Sequence, residues 1–357
     1  MKVLITSTSL DERTNVSGIS SVVRNIIAKL DEHCEFELIQ IGKPDHMGTV
    51  AGAWFLLTML LRGMFLLARN ARRSVLHLNL VLYTKAIVRD FAFAVAAKVF
   101  GVPVLLHLHG GEFLNKKAPG LLGRVILWHF KLADKIILLS NLEVRDFNAF
   151  YAGFDEKVSC VYNSVDVALF VRDEHAGTNE NLRVLFAGRL EPMKGVDIFL
   201  DVAASAPPQF DFFLAGTGSQ LPLVQDAIDR GVKINYLGVL DSAQIRKFLL
   251  EIDVLVVPSR YGEGMPMIIV EALASSVVPI ATAMASVPEI VIDQETGFLL
   301  DRVDADQIVA RLTDINGDRL KMRRMSMNGH ALAKARLDSS VNSHLFLSYY
   351  RKLMPVA

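Results

Sequence analysis

The fold of this chain is decided by the segment Pro258-Ser259-Arg260-Tyr261-Gly262-Glu263-Gly264-Met265-Pro266-Met267-Ile268-Ile269-Val270-Glu271-Ala272-Leu273-Ala274. The β-branched run just before it, 253–257, is typical of a buried parallel strand. The apolar run 267–274 predicts a buried helix. Glu263 is therefore expected at the carboxyl end of a strand, where ligands of open α/β sheets bind, and Glu271 about two turns into the helix.

These two glutamates have a structural and a functional interpretation. A carboxylate in an apolar helix requires a partner, so Glu271 is either paired with an Arg or Lys or satisfied by a ligand. Glu263 likewise either forms an ion pair near the helix N-terminus or contacts a bound molecule. The spacing alone leaves both interpretations open.

Strands and helices alternate twice along the chain, which predicts two parallel-sheet domains. A polar segment without periodicity, 171–181, is the expected linker. We expect domains at 1–172 and 173–339 and a final helix within 340–357. The predicted strands are Lys2–Thr6, Phe36–Ile41, Val75–Asn79, Val104–His107, Lys135–Leu139, Val158–Tyr162, Leu182–Ala187, Phe210–Ala215, Lys233–Leu237, Asp253–Val257 and Val278–Ala281.

The composition is that of a globular protein: 357 residues, 52% of them hydrophobic and 21% charged, allow two domain cores. Cys34 and Cys160 are the two cysteines and lack metal-site spacing, so we expect a reducing cytoplasm. The N-terminus passes directly into a predicted strand, and we expect no signal peptide.

Basic residues are concentrated between positions 60 and 135, where 12 Lys and Arg stand against 3 Asp and Glu. This positive charge suits partners that carry phosphate. One such partner that the sequence leaves open is the inner face of an anionic membrane, which the protein would contact peripherally. Nucleic acid is not expected, because no basic motif is interleaved with aromatic residues.

The apolar segment 51–68 is interrupted by Arg62 and is too short on either side to span a bilayer. We expect a buried domain helix. An interfacial helix with basic flanks is the alternative.

The segment 258–274 resembles the signature of the two-domain, retaining glycosyltransferases of family 4, in which two glutamates are separated by seven residues. Other motifs of that family follow in the right order. They are Ser17-Gly18-Ile19, His107-Leu108-His109-Gly110, Asn163-Ser164-Val165-Asp166, 185–195 with Gly188-Arg189 and Lys194-Gly195, and Leu214-Ala215-Gly216-Thr217-Gly218. The resemblance covers nearly the whole chain. It implies the GT-B fold, an α/β architecture of two facing, doubly wound Rossmann-like domains whose C-terminal helix crosses back to the first.

Site residues follow from the same resemblance. Arg189 and Lys194 hold the diphosphate of a nucleotide-sugar donor, a role that suits a planar guanidinium and a compact ammonium. Glu271 binds the donor ribose, while Glu263 and His109 contact the transferred sugar. The residues expected to be catalytic are His109, Glu263, Arg189 and Lys194. His107 is expected to be structural. The remaining donor-binding positions are Gly18, Gly216, Thr217, Gly264, Met265, Pro266 and Met267.

We expect no metal and no other cofactor. His107 and His109 have no third ligand nearby in the sequence and so give only weak evidence for a zinc site. Asp304-Ala305-Asp306 is expected to cap a helix. Ser20 is a candidate cap of the first helix.

The chain departs from the family pattern at Ala274-Ser275-Ser276-Val277 and Ala285-Ser286, where glycines are usual. This leaves the donor base and sugar undetermined but removes no charged group of the expected site.

The sequence therefore predicts a retaining hexosyltransferase that uses a donor of the UDP or GDP type and a hydroxyl acceptor. We expect the acceptor to be a lipid-linked or polysaccharide intermediate of cell-surface glycan synthesis. A sugar-nucleotide epimerase or hydrolase on the same fold, and a non-catalytic sugar-nucleotide-binding protein, are the alternatives.

Overall fold

The computed structural model describes residues 1–11, 17–42, 49–114, 116–170, 180–261 and 263–354. They fall into two compact units, Met1–Ser164 with Ser339–Ala357, and Val165–Asp338. The division precedes the expected boundary at residue 172, because the Val165 amide donates to the Leu337 carbonyl at 3.0 Å and ties this part of the chain to the second unit. Most of the expected linker, residues 171–179, lies outside the described residues.

The first unit is a parallel sheet of six described strands with the order β2-β1-β3-β4-β5-β6. The strands are β1 Lys2–Ser7, β2 Glu35–Gln40, β3 Ser74–Leu80, β4 Val104–Leu108, β5 Lys135–Leu138 and β6 Val158–Cys160. The helices that connect them are α1 Gly18–Leu30, α2 Thr49–Arg69, α3 Thr84–Val99, α4 Gly120–Leu132 and α5 Asn141–Phe150. β3 and β4 are buried along their whole length, as expected of central parallel strands.

The second unit has its own parallel sheet, with the described strand order β12-β11-β10-β7-β8-β9. The strands are β7 Leu182–Ala187, β8 Phe210–Ala215, β9 Ile234–Gly238, β10 Val254–Val257, β11 Val278–Thr282 and β12 Phe298–Leu300. The helices are α6 Val196–Ser205, α7 Leu221–Asp229, α8 Ser242–Leu249, α9 Met267–Ala274, α10 Val287–Ile290, α11 Ala305–Gly317 and α12 Arg319–Arg336. The chain reverses direction across the sheet between β7 and β10, and ligands of such sheets bind at that reversal.

The last helix, α13 Ser339–Leu353, belongs to the first unit and packs against α1. Its Phe346, Leu347 and Tyr350 are buried. The return of the C-terminal helix to the first unit, expected from the resemblance, is confirmed.

Two expectations about elements are corrected. β12 was not predicted, because Phe298–Leu300 is only three residues long and gives no periodic signal. Helix α2 is not a buried helix: Leu66 and Leu67 enter the core, but Trp54, Leu61 and Phe65 are exposed to 66%, 60% and 61%. No helix among the described residues is both long enough and apolar enough to cross a bilayer.

Candidate active site

The loops that follow β7 and β10 bring together a lysine, a glutamate and a serine of the second unit. The Lys194 ammonium forms an ion pair with Oε1 of Glu263, and the Ser259 hydroxyl donates to the same oxygen at 2.7 Å. Both charged side chains are largely shielded, with 21% and 9% of their surface accessible. One carboxylate oxygen therefore accepts from two donors. Both interpretations of Glu263 stay open, because an ion pair and a ligand contact use the same group.

A glycine allows these two loops to approach. Gly195 has a φ of +71°, and a Cβ there would lie 2.1 Å from the carbonyl oxygen of Pro258. No L-residue fits that contact without moving backbone. Because Gly195 directly follows Lys194, and Pro258 directly precedes Ser259, this approach places the ammonium within reach of Glu263.

Arg260 fixes the same pair of loops through a second set of contacts. Its guanidinium donates to both carboxylate oxygens of Asp197, at 2.8 and 2.5 Å, and to the Pro192 carbonyl at 2.7 Å. Its amide donates to the Met193 carbonyl at 2.8 Å. The Arg260 guanidinium lowers the pKa of the Asp197 carboxyl below its usual value. No role was predicted for Arg260, because its partner Asp197 is 63 positions away in the sequence.

Arg189 lies exposed in the loop after β7. Hydrogen bonds connect this loop to the loop after β8. Glu191 accepts from the hydroxyl and the amide of Ser219, at 2.5 and 3.2 Å, and these hydrogen bonds lower the pKa of Glu191. Gly216 has a φ of +137°, and a Cβ on it would lie 1.8 Å from the Gly188 carbonyl oxygen. Thr217, which follows, is exposed. The Gly-x-Gly turn thus packs backbone against backbone beside Arg189.

Glu271 lies in α9, but only four residues after its first residue, one turn into the helix rather than two. It is half-buried and makes an interaction within the protein, while the apolar residues around it in α9 are buried. Gly264, Met265, Pro266 and Met267 form the buried connection that leads from Glu263 into the helix.

In the first unit, His107 and His109 lie on the same side of the chain, as their alternation predicted, with ring centroids 4.1 Å apart. His109 is buried, and its Nε2 lies 2.7 Å from Oδ1 of Asn79. The Asn79 amide nitrogen donates to the Thr6 carbonyl at 2.7 Å, which orients the oxygen toward His109. Burial lowers the pKa of His109 to about 3, so the ring is neutral at neutral pH. Its Nε2 then carries the proton, and Nδ1 is left as an acceptor.

His107 belongs to a buried chain of polar groups that reaches the last helix. Its Nδ1 lies 3.1 Å from Nε2 of His77, and Nδ1 of His77 lies 2.6 Å from the Tyr350 hydroxyl. Burial lowers the pKa of His77 to about 3 and that of His107 well below its ordinary value, and it raises the pKa of Tyr350. The phenol therefore remains protonated and can donate to His77. Neither His77 nor Asn79 was predicted as a site residue, although both are polar residues of a fully buried strand, His77 at its middle and Asn79 near its end.

Gly18 is the exposed first residue of α1, and residues 12–16 of the loop before it lie outside the described residues. The expectation that Ser20 caps this helix is wrong. α1 begins two residues earlier, and the buried Ser20 hydroxyl lies 2.7 Å from that of Thr8 instead.

Asp304 caps α11 as expected, since its carboxylate accepts from the Asp306 amide at 3.0 Å. Within the described ranges, no three His, Cys, Asp or Glu side chains are grouped as metal ligands would be. Among the described residues, Cys34 and Cys160 form no disulfide.

Residues 169–331 match the family model for glycosyl transferases group 1. The chain is 25% identical over 338 residues to an uncharacterized glycosyltransferase of Methanocaldococcus jannaschii, an alignment that covers 89% of this chain and 90% of the relative. It is 26% identical over 334 residues to alpha-maltose-1-phosphate synthase of Mycolicibacterium smegmatis, covering 83% and 84%. Two further relatives are matched over about half of their own length.

Among solved structures, Anabaena HepE in complex with UDP-glucose superimposes with a TM-score of 0.77 at 19% identity, covering 99% of this chain and 100% of that one. This likeness shows that the two units have the GT-B fold, as the sequence predicted. The family model and the relatives support a glycosyltransferase.

Proposed function

We propose that this glycosyltransferase of the GT-B fold transfers a hexose, with retention of anomeric configuration and without a metal, from a nucleoside diphosphate sugar to a hydroxyl acceptor. The observation that carries the proposal is the cluster of Lys194, Glu263 and Ser259 at the reversal between β7 and β10. A diphosphate that departs from the sugar develops negative charge. Preorganised cations stabilise such charge most effectively where water is largely excluded.

Each charged site residue that the sequence predicts in the second unit then has a role in the reaction. Lys194 and the exposed Arg189 bind the diphosphate, and Glu263 binds hydroxyls of the hexose. Lys194 is paired with Glu263, so a bound diphosphate would replace that carboxylate or share the ammonium with it. Glu271 binds the ribose. In the first unit, Nδ1 of His109 is the acceptor that can receive a hydrogen bond from a sugar hydroxyl.

The donor and the acceptor are proposed by class. HepE was crystallised with UDP-glucose, which favours a UDP-sugar donor here. The excess of basic residues between positions 60 and 135 favours an acceptor that carries phosphate, such as a lipid-linked intermediate of cell-surface polysaccharide synthesis. Retention would follow from attack on the same face of the sugar that the leaving diphosphate occupies.

The test is release of nucleoside diphosphate from UDP-glucose, GDP-mannose and ADP-glucose, with and without a polyprenyl-diphosphate-linked sugar acceptor. Lys194→Met should reduce turnover by about 100-fold or more. Lys247→Met, which removes an exposed lysine of α8, should leave turnover unchanged. The anomeric configuration of the product is read by NMR.

Two outcomes would contradict the proposal. Donor consumption that is independent of any acceptor would identify an epimerase or hydrolase. Binding of a donor without turnover under any condition would identify a sugar-nucleotide-binding protein.

A further inference from the structure

Three neighbouring helices of the first unit form one continuous layer. A Cβ on Gly63 of α2 would lie 2.4 Å from Cε1 of Phe93 in α3, so these two helices are in close contact. Nε2 of His129 in α4 lies 2.9 Å from the carbonyl oxygen of Ile87 in α3. All three helices contribute side chains to one core beneath them. Their outward side chains therefore share a single surface, which we call the α2–α4 face.

The α2–α4 face exposes more large apolar side chains than a solvated helix layer requires. On α2 they recur at the spacing of one helical stripe, which runs about 16 Å from Trp54 to Phe65. Leu121 of α4 is 74% exposed. The exposed apolar residues of the face are Trp54, Leu57, Leu61, Phe65, Val88, Val95, Val99, Leu121, Leu127 and Trp128.

The charges on this face are of one sign. Its exposed cations include Arg62, Lys85, Arg124 and Lys131. The sequences of the three helices contain a single acidic residue, Asp90, which is buried and paired with Arg89.

Cations also lie beside the aromatic rings of the face. The Lys131 ammonium is 5.3 Å from the Trp128 ring centroid, and the Arg69 guanidinium is 5.8 Å from that of Phe65. Aromatic side chains and cations are thus interleaved across the surface.

We propose that the α2–α4 face docks on the surface of a lipid bilayer that contains anionic lipids. Tryptophan and phenylalanine enter the boundary between headgroups and acyl chains, while arginine and lysine remain at the headgroup phosphates. A second copy of this chain is a poorer occupant, because a two-fold contact of the face with itself would place cations opposite cations. The apolar stripe on α2 runs along the helix axis, and that axis lies in the plane of the helix layer. The stripe can therefore contact a flat partner along its whole length.

Docking on a membrane is consistent with the lipid-linked acceptor that we propose, but it does not depend on the transfer reaction. Every residue of the face belongs to the first unit, whereas Lys194 and Glu263 belong to the second. Vesicle binding can therefore be measured without any donor, and its failure is distinguishable from failure of the proposed reaction.

The two tryptophans of the chain, Trp54 and Trp128, are both exposed on this face, so intrinsic tryptophan fluorescence reports on it alone. The full chain is mixed with vesicles of phosphatidylcholine, with or without phosphatidylglycerol. We expect co-sedimentation only with the anionic vesicles, a blue shift of the emission, and quenching by brominated lipid. Trp54→Phe and Trp128→Phe each leave one reporter, and both single variants should retain the shift.

Substitution separates docking from general stickiness. Trp54→Gln, Leu61→Gln and Phe65→Gln combined should weaken vesicle binding at least about tenfold. The matched control, Val239→Gln, Leu320→Gln and Met327→Gln, alters exposed apolar residues of the second unit and should bind as the unaltered chain does. Folding of both variants is checked by circular dichroism.

Three results would overturn the inference. The first is the absence of binding to any vesicle. The second is equal binding to neutral and anionic vesicles, which would remove the role of the cations. The third is self-association that α2 substitutions abolish while vesicles have no effect, which would identify the face as a contact between copies.

Discussion

At the scale of single residues, Glu263 can be tested for whether it has a structural role in its ion pair or a role in binding the sugar. In Glu263→Gln the amide oxygen can still accept from Ser259, but the ion pair with Lys194 is lost. Lys194 is then free of a competing carboxylate. We expect UDP to bind as tightly as before or more tightly, while transfer falls about 100-fold or more because the sugar loses its carboxylate contact.

Calorimetric titration with UDP and turnover measurements on the same Glu263→Gln preparation give both quantities. A parallel loss of UDP affinity and of turnover would show that the glutamate acts by holding the loop in place.

Gly195 offers a residue-scale test of how the two loops are held together. Alanine there requires a left-handed backbone and also a Cβ 2.1 Å from the Pro258 carbonyl oxygen. Gly231→Ala is the matched control, because its φ is +91° but nothing lies within 4 Å of the added Cβ. We expect Gly195→Ala to lower the free energy of unfolding by about 2 kcal/mol more than the control does. Urea midpoints measure the difference, and equal midpoints would mean that the loops separate at little cost.

At the scale of elements, α13 is held to the first sheet through Tyr350. The hydroxyl lies 2.6 Å from Nδ1 of His77, and both groups are buried. Tyr350→Phe leaves the ring packing intact but removes the partner of the His77 Nδ1, at a cost of about 1–3 kcal/mol. We expect faster amide exchange in α13 and β3. Tyr349→Phe, one position earlier, is the control that should leave exchange in both elements unchanged.

The elements also show what sequence could predict. The expected strands β1 to β11 are present, because β-branched buried strands give a clear local signal. The expectation that α2 is buried was wrong. The sequence shows that a side chain such as Trp54 is apolar, but it does not show whether that side chain faces the core or solvent. The links between His77 and Tyr350, and between Arg260 and Asp197, span 273 and 63 positions and have no local signal. The residues of the candidate site were named, but their partners in the folded chain were not.

At the scale of the whole molecule, the buried histidines make stability depend on pH. His77 and His109 have folded pKa values of about 3, and that of His107 is also well below its ordinary value of 6.5. The unfolded chain therefore binds more protons below pH 6.5, so stability is lost as pH falls from about 6.5 toward 3. At pH 5, His77 and His109 should each cost about 2 kcal/mol relative to neutral pH, and His107 adds a cost of the same sign.

Hydrogen exchange of β3 and β4, followed from about pH 7 to about pH 5, measures this loss for the first unit once the intrinsic exchange rates are accounted for. His107→Gln should reduce the pH dependence by the share of one histidine. His33→Gln, which removes an exposed histidine, should not alter it. A pH dependence that is the same in all three proteins would mean that the His107 imidazole can be protonated within the fold.

The return of α13 to the first unit has a consequence for the order in which the protein forms on a ribosome. The second unit is contiguous in sequence, whereas the first includes residues that are synthesised only after the second unit. Until Phe346 and Tyr350 leave the exit tunnel, His77 and His107 lack the rings that cover them. A nascent chain stalled with residues 1–338 emerged should show a protease-resistant second unit and a protease-sensitive first unit. Equal resistance of the two would show that the first sheet is complete without its final helix.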